Sequence, residues 1–168
     1  MPLPLTQAAF VAGTLIVLLA GSLSAKAPTV RLTIAGADLP APIGTSDPAA
    51  LAIIWAGTFI GDPCQAPNTS WPRYRVTFHV RWADGSTETV EPKYIVLYVR
   101  DARTNAGFVY LPRRGEDGYT MNARSMLRDG QDGHWHRAQP EWSEAIARAL
   151  VRVVAIRALS ARSSVPRR

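Results

Sequence analysis

Cysteine is almost absent from this chain, and its single copy, Cys64, excludes an intramolecular disulfide scaffold, so any fold must be held by a packed core. Cys64 lies in the loop-like run Gly61-Asp62-Pro63-Cys64-Gln65-Ala66-Pro67 with no His or Cys near it in sequence, which reads as a small loop residue and not a reactive thiol. Its position also excludes the lipidated cysteine that follows a lipoprotein signal. Lysine is nearly missing too: all but two of the 19 basic residues are arginine, a bias that points to a bacterial chain and leaves the sequon Asn68-Thr69-Ser70 without a glycosylation meaning. No G-x-S-x-G elbow, Gly-rich phosphate loop or paired-carboxylate motif occurs. Hydrolase chemistry is thereby unsupported, although triads assemble in space and not in sequence.

Charge of either sign is missing from Met1 to Ala25. Within that stretch Ala8 to Ala20 carries Phe10, Val11, Leu15, Ile16, Val17, Leu18 and Leu19, and small residues follow at Gly21, Ser22, Ser24 and Ala25. An apolar core of roughly 7–15 residues before small residues is the pattern of an export signal. Residues 1–27 are therefore read as a signal peptide cut near Ala25. A retained N-terminal anchor is the alternative, because no Lys or Arg precedes the core and an uncharged run of about 20 residues is long enough to span a bilayer. Either way the rest of the chain is expected outside the cytoplasm, periplasmic or secreted in the first case and membrane-anchored in the second.

The composition of the whole chain, 47% hydrophobic and 19% charged, is that of an ordinary globular chain, and 168 residues favour one domain, expected over 28–158 with a basic disordered tail over 159–168. The net charge of +6 is not spread over that domain. Residues 1–147 hold 13 basic and 13 acidic side chains, whereas Arg148, Arg152, Arg157, Arg162, Arg167 and Arg168 meet no acid. A C-terminal excess on an exported chain argues against nucleic acid as a partner and leaves two readings of these arginines, a solvated tail that aids solubility or weak contact with an anionic membrane surface.

Between these ends the sequence alternates. In Arg73 to Trp82, Tyr74, Val76, Phe78, Val80 and Trp82 interleave with Arg73, Arg75, Thr77, His79 and Arg81, which predicts a strand with one buried face. Asp84-Gly85 predicts a two-residue hairpin turn into Thr87–Val90, which would set Arg81 opposite Glu88. After Pro92, Tyr94 to Val99 is apolar on both faces, as in a central strand covered on both sides. Phe108 to Leu111 follows after a turn over Asp101 to Gly107, and Thr29 to Ile34 and the surroundings of Trp135 supply further strands. Asp47-Pro48 predicts a helix start, with Leu51, Ile54 and Trp55 on one face and a stop near Gly57. Phe59 to Pro72 reads as a surface loop, Tyr119 to Leu127 as a short helix with Met121 and Leu127 inward, and Pro140 onward as a helix whose inward stripe is Trp142, Ile146, Ala149, Leu150 and Val153. The expected fold is α+β: an antiparallel β-meander sheet of four to five strands packed by two or three short helices.

Two residue groups are candidate sites. Arg73, Arg75, His79 and Arg81 form a basic row on one strand face, suited to a polyanion or a carboxylate-bearing glycan, with Arg81 partly neutralised by Glu88; the competing reading is a plain solvated strand face. His134 and His136, two apart around Trp135, would share a strand face and serve as two metal ligands, although zinc needs a third and often a fourth. The competing reading makes Trp135 a core anchor and the histidines its outward neighbours. The loop Asp129-Gly130-Gln131-Asp132-Gly133 lacks the ligand spacing of a calcium turn and reads as a helix stop. No cofactor is implied.

The runs Ile34-Ala35-Gly36, Pro42-Ile43, Asp47-Pro48, Tyr74 to Val80, Tyr110-Leu111-Pro112 and Asp132-Gly133-His134-Trp135-His136, with Leu39, Tyr98-Val99 and Trp142, resemble a family of uncharacterised bacterial exported proteins over most of residues 34–142. These marks are turn residues and aromatics, so the resemblance implies a shared fold and carries over no functional residue. The expectation for function is an exported envelope protein, a non-catalytic module binding a ligand or an envelope partner. A small periplasmic enzyme, a hydrolase, is the alternative.

Overall fold

The computed structural model describes residues 27–36, 39–52, 58–84, 86–123 and 131–163, with the side chains of 153–163 left out of the account. The elements are β1 (Thr29–Ala35), β2 (Ile43–Thr45), α1 (Pro48–Leu51), β3 (Ile60–Cys64), β4 (Arg73–Asp84), β5 (Thr87–Arg100), β6 (Gly107–Tyr110), α2 (Tyr119–Ala123), β7 (Trp135–Ala138) and α3 (Pro140–Ser163). All strands join one sheet in the order β2-β1-β4-β5-β6-β7-β3, antiparallel throughout.

The architecture is α+β, but with seven strands where the sequence suggested four or five. The additional strands are the two short edges. β2 is three residues long, and β3 is Ile-Gly-Asp-Pro-Cys, a composition that sequence patterns assign to loops. Pro63 is tolerated because it sits on an outermost strand at a register irregularity, where no ladder partner is lost on the outer side. The segment read as a surface loop thus contributes an edge strand, and Phe59 just before it is in the core.

β4 and β5 form the long central hairpin. Asp84 is still in the ladder, paired with Thr87, so the register lies one residue beyond the one that an Asp84-Gly85 turn would set. Arg81 consequently faces Val90, not Glu88. The ion pair forms all the same, diagonally, with Arg81 Nε 2.9 Å from Glu88 Oε1. Pro92 does not divide β5, because the pairs Phe78↔Tyr94 and His79↔Pro92 leave Lys93 as an extra residue and the strand passes the proline in a bulge. Lys93 then covers the Trp82 ring at 5.0 Å, and Trp82 is 40% exposed, beyond the core that its alternation predicted.

The core lies on one face of the sheet, under α3. Trp142 is its centre, 5.4 Å from Phe59, edge-on to Tyr98 at 5.5 Å and stacked on Phe78 at 6.2 Å. Ala145, Ile146 and Leu150 continue the buried stripe and Ala149 is half-buried, as expected; Val153 falls outside the described side chains. Asp47 caps α1 by accepting from the Ala49 amide at 2.9 Å, and Pro48 opens the helix. Ile54, Trp55 and Leu127, expected to pack inward, lie outside the described residues. Helix α3 runs to Ser163 and so enters the segment anticipated as an unstructured tail. Among the described residues no helix is long and apolar enough to cross a membrane; the N-terminal stretch 1–26 lies outside them.

On the opposite face β5 is covered near its middle. β6 pairs only with Leu97 to Arg100, and one residue pair further Asn122 of α2 takes over as partner: its Oδ1 accepts from the Ile95 amide at 2.8 Å and its Nδ2 donates to the Ile95 carbonyl. Asn122 is fully buried. Gly118, at φ +86°, seats the loop before α2 so close to Ile95 that an added Cβ would lie 3.0 Å from the Ile95 Cβ.

Candidate functional site: a cation–aromatic cleft on the open sheet face

Alternation along β4 turns Arg73 and Arg75 away from α3, and the register carries that face across the sheet. One row reads Arg75, Leu97, Tyr110, Trp135 and Cys64; the next reads Arg73, Val99, Phe108 and Arg137. Together with the loop Pro112–Asp117 these strands enclose a cleft of about 400 Å³, lined by Arg73, Arg75, Leu97, Tyr110, Glu116 and Trp135 among others. That is within the size range of small-ligand pockets, roughly 300–1,000 Å³.

Aromatic rings hold the cations in place. The Arg73 guanidinium lies 5.6 Å from the Trp135 ring, whose other neighbour is Tyr110 at 5.1 Å. Arg137 lies 4.8 Å from the Phe108 ring, and Trp71 packs on Phe108 at 5.9 Å. A guanidinium stacked on a ring keeps its in-plane N–H groups free to donate to an oxyanion.

The loop Arg113–Gly118 supplies the acids. Asp117 pairs with Arg75 at the cleft, both well exposed. Glu116 accepts from the Tyr110 hydroxyl at 2.8 Å, the Arg113 amide at 3.1 Å and Arg113 Nε at 2.9 Å. Partial desolvation pushes the Glu116 carboxyl up, but these donors outweigh it and hold the group below its ordinary range. Tyr110 is raised, first by desolvation and then by the carboxylate it donates to. The two acids are thus matched by Arg75 and Arg113, and among the described residues Arg73 has no carboxylate partner. The lining itself is balanced, Arg73 and Arg75 against Glu116 and Asp117, but Glu116 is drawn off by Arg113 outside the lining, which leaves Arg73 as the lining cation in no ion pair.

The four-residue basic row is therefore divided. Arg73 and Arg75 line the cleft, whereas His79, about 13 Å further along β4, pairs its Nε2 with Thr33 Oγ1 at 2.9 Å. Burial, and then the nearby Arg31 charge, lower the His79 pKa, so the ring is neutral at physiological pH. Arg81 lies beyond it in its exposed pair with Glu88.

The histidine pair is divided as well. β7 begins at Trp135, so His134 precedes the strand and is exposed, while His136 is 3% exposed, with Nδ1 3.3 Å from the Gly61 carbonyl oxygen and Nε2 without a partner among the described residues. The inside-out assignment of this stretch is the reverse of the competing sequence reading: His136 faces the core and Trp135 the open face. Among the described residues no three His, Cys, Asp or Glu side chains gather as a metal-ligand set. Cys64 is a free, half-buried thiol whose pKa burial raises, against a weaker pull from Arg137.

Sequence reasoning missed Tyr110, Trp135, Phe108, Trp71 and Arg137 as members of this face. The period-two spacing of Phe108 with Tyr110 and of Trp135 with Arg137 was available as a signal, but it becomes informative only once the register sets these strands beside β4. No family model, no curated protein and no solved structure matches the chain, so function is read from the geometry alone.

Proposed function

We propose that this protein is an exported envelope module, non-catalytic, that binds an anionic ligand in the cleft between β4, β7 and the 112–117 loop. The observation that carries the reading is the Arg73 guanidinium, 5.6 Å from the Trp135 ring in a cleft of about 400 Å³ and, among the described residues, in no ion pair. A carboxylate of the ligand pairs with Arg73, while Leu97, Tyr110 and Trp135 receive its apolar body. Location outside the cytoplasm is supported by the apolar, charge-free stretch before Lys26.

Calorimetric titration with galacturonate and with galactose tests the charge requirement. Galacturonate is expected to bind and galactose not, and Arg73→Gln to weaken galacturonate by about 10- to 100-fold, the worth of one hydrogen bond to a charged group. Equal binding of the acid and the neutral sugar, or indifference to Arg73→Gln, would sink the proposal.

A further inference from the structure

The cationic face does not end at the cleft. Arg73 and Arg137 stand at the two ends of one register row, Arg73↔Val99, Val99↔Phe108 and Phe108↔Arg137. Three strand spacings, about 14 Å, separate their Cα atoms. The Arg73 guanidinium lies 5.6 Å from the Trp135 ring of β7 and that of Arg137 4.8 Å from the Phe108 ring of β6, so both cations rest over rings of the β6–β7 pair. On this face Arg75 and Arg113 each have an acidic partner, and among the described residues Arg73 and Arg137 are in no ion pair. Both are exposed, and a guanidinium over a ring can still donate to an oxyanion.

We infer that this face binds an acidic oligosaccharide laid across β4 to β7, one uronate carboxylate at Arg73 and another at Arg137, its pyranose rings resting on the intervening aromatic side chains. The inference rests on the reading of the cleft as an anion site and names its ligand class. A sugar chain fits the face better than an acidic peptide does. The backbone groups of β4 to β7 in this row are already engaged in ladders on both sides of β5 and β6, so a peptide on the face would find no main-chain partners and would leave its own amides unpaired where they are desolvated. Sugar hydroxyls project from the ring edge and stay in water, while the apolar ring faces stack on the aromatics.

Calorimetry with tetragalacturonate and with galacturonate, on the full mature chain and on Arg73→Gln and Arg137→Gln, separates the possibilities. Both arginines are exposed, and near-ultraviolet circular dichroism confirms that the variants keep their packing. The tetramer is expected to bind at least about tenfold more tightly than the monomer, and each variant to lose about 10- to 100-fold for the tetramer. Arg137→Gln is expected to weaken the tetramer by a larger factor than the monomer. A tetramer no tighter than the monomer, or indifferent to Arg137→Gln, overturns the inference and leaves a single-anion cleft at Arg73. Failure of both sugars to respond to Arg73→Gln overturns the cleft reading with it. Tighter binding of a hexaglutamate peptide than of tetragalacturonate through the same two arginines overturns the ligand class.

Discussion

The two faces of strands β4 to β7 both carry tryptophan at their centre and use it in opposite ways. On the α3 face Trp142 is 2% exposed and packs against the rings of Phe59, Phe78 and Tyr98, its indole nitrogen without a hydrogen-bond partner among the described residues. On the open face Trp135 is half-buried between a tyrosine and a guanidinium. The difference lies in what covers each face. A 24-residue helix closes the first, and a short loop with a five-residue helix closes only part of the second. An aromatic ring with a helix over it stabilises the fold. The same ring with a cation over it is left available for a ligand.

Substitution of the two tryptophans breaks the comparison most sharply. Trp142→Ala is expected to destabilise the fold by about 3–5 kcal/mol, the cost of emptying a large core position. Trp135→Ala removes one aromatic pair and one cation–π contact, together about 1–2 kcal/mol, yet abolishes ligand binding. Urea denaturation beside calorimetric titration reads both quantities. Equal destabilisation by the two variants would mean that the open face is a second core.

Asn122→Ala probes how the open face is sealed. It leaves the Ile95 amide and carbonyl, both bonded to that side chain, without partners in a buried place, and is expected to cost about 1–3 kcal/mol. Hydrogen exchange at the Ile95 amide checks it: the expected outcome is loss of protection there with protection at Val96 retained. Unchanged protection at Ile95 would show that β5 needs no partner at this point.

The smallest effect comes from pH. Desolvation raises the Glu116 carboxyl and the bonds from Tyr110 and Arg113 more than reverse it, so its folded value lies below the ordinary one. Its contribution is therefore complete above the ordinary glutamate value of about 4.3 and is lost as pH falls through the lowered folded value. Exchange of the Arg113 amide, which donates to Glu116, is expected to accelerate only below about pH 4. Glu116→Gln removes that dependence. A loop whose protection is flat from neutral to strongly acid pH would detach Glu116 from the closure of the cleft.

Much of this contrast was legible in the alternation of residues. Tyr74, Val76 and Phe78 point to the core and Arg73 and Arg75 away from it, as period two requires, and the buried stripe of α3 follows its helical spacing. The edge strands were not legible, since Gly61 and Pro63 are loop residues by composition and become a strand only because β7 offers a ladder on one side. Nor was the sense of the His134-Trp135-His136 run, because which of two alternating sets faces inward is decided by the register with β6 and not by the run itself. The cleft failed to appear for the same reason. Arg73 and Trp135 are far apart in sequence, and only the strand order β4-β5-β6-β7 brings them together.

The length of β5 bears on how this protein behaves at high concentration. From Thr87 to Tyr94 it is paired with β4 alone among the described residues, and its outer side is an open ladder, the kind of surface on which polymerisation of one chain onto another begins. Pro92 withholds an amide from that ladder, the bulge at Lys93 bends it, and Glu88, Glu91 and Lys93 place charge along it. The proline that seemed to end a strand instead protects one, so the outer edge of the long hairpin arm is a poor template for a second chain.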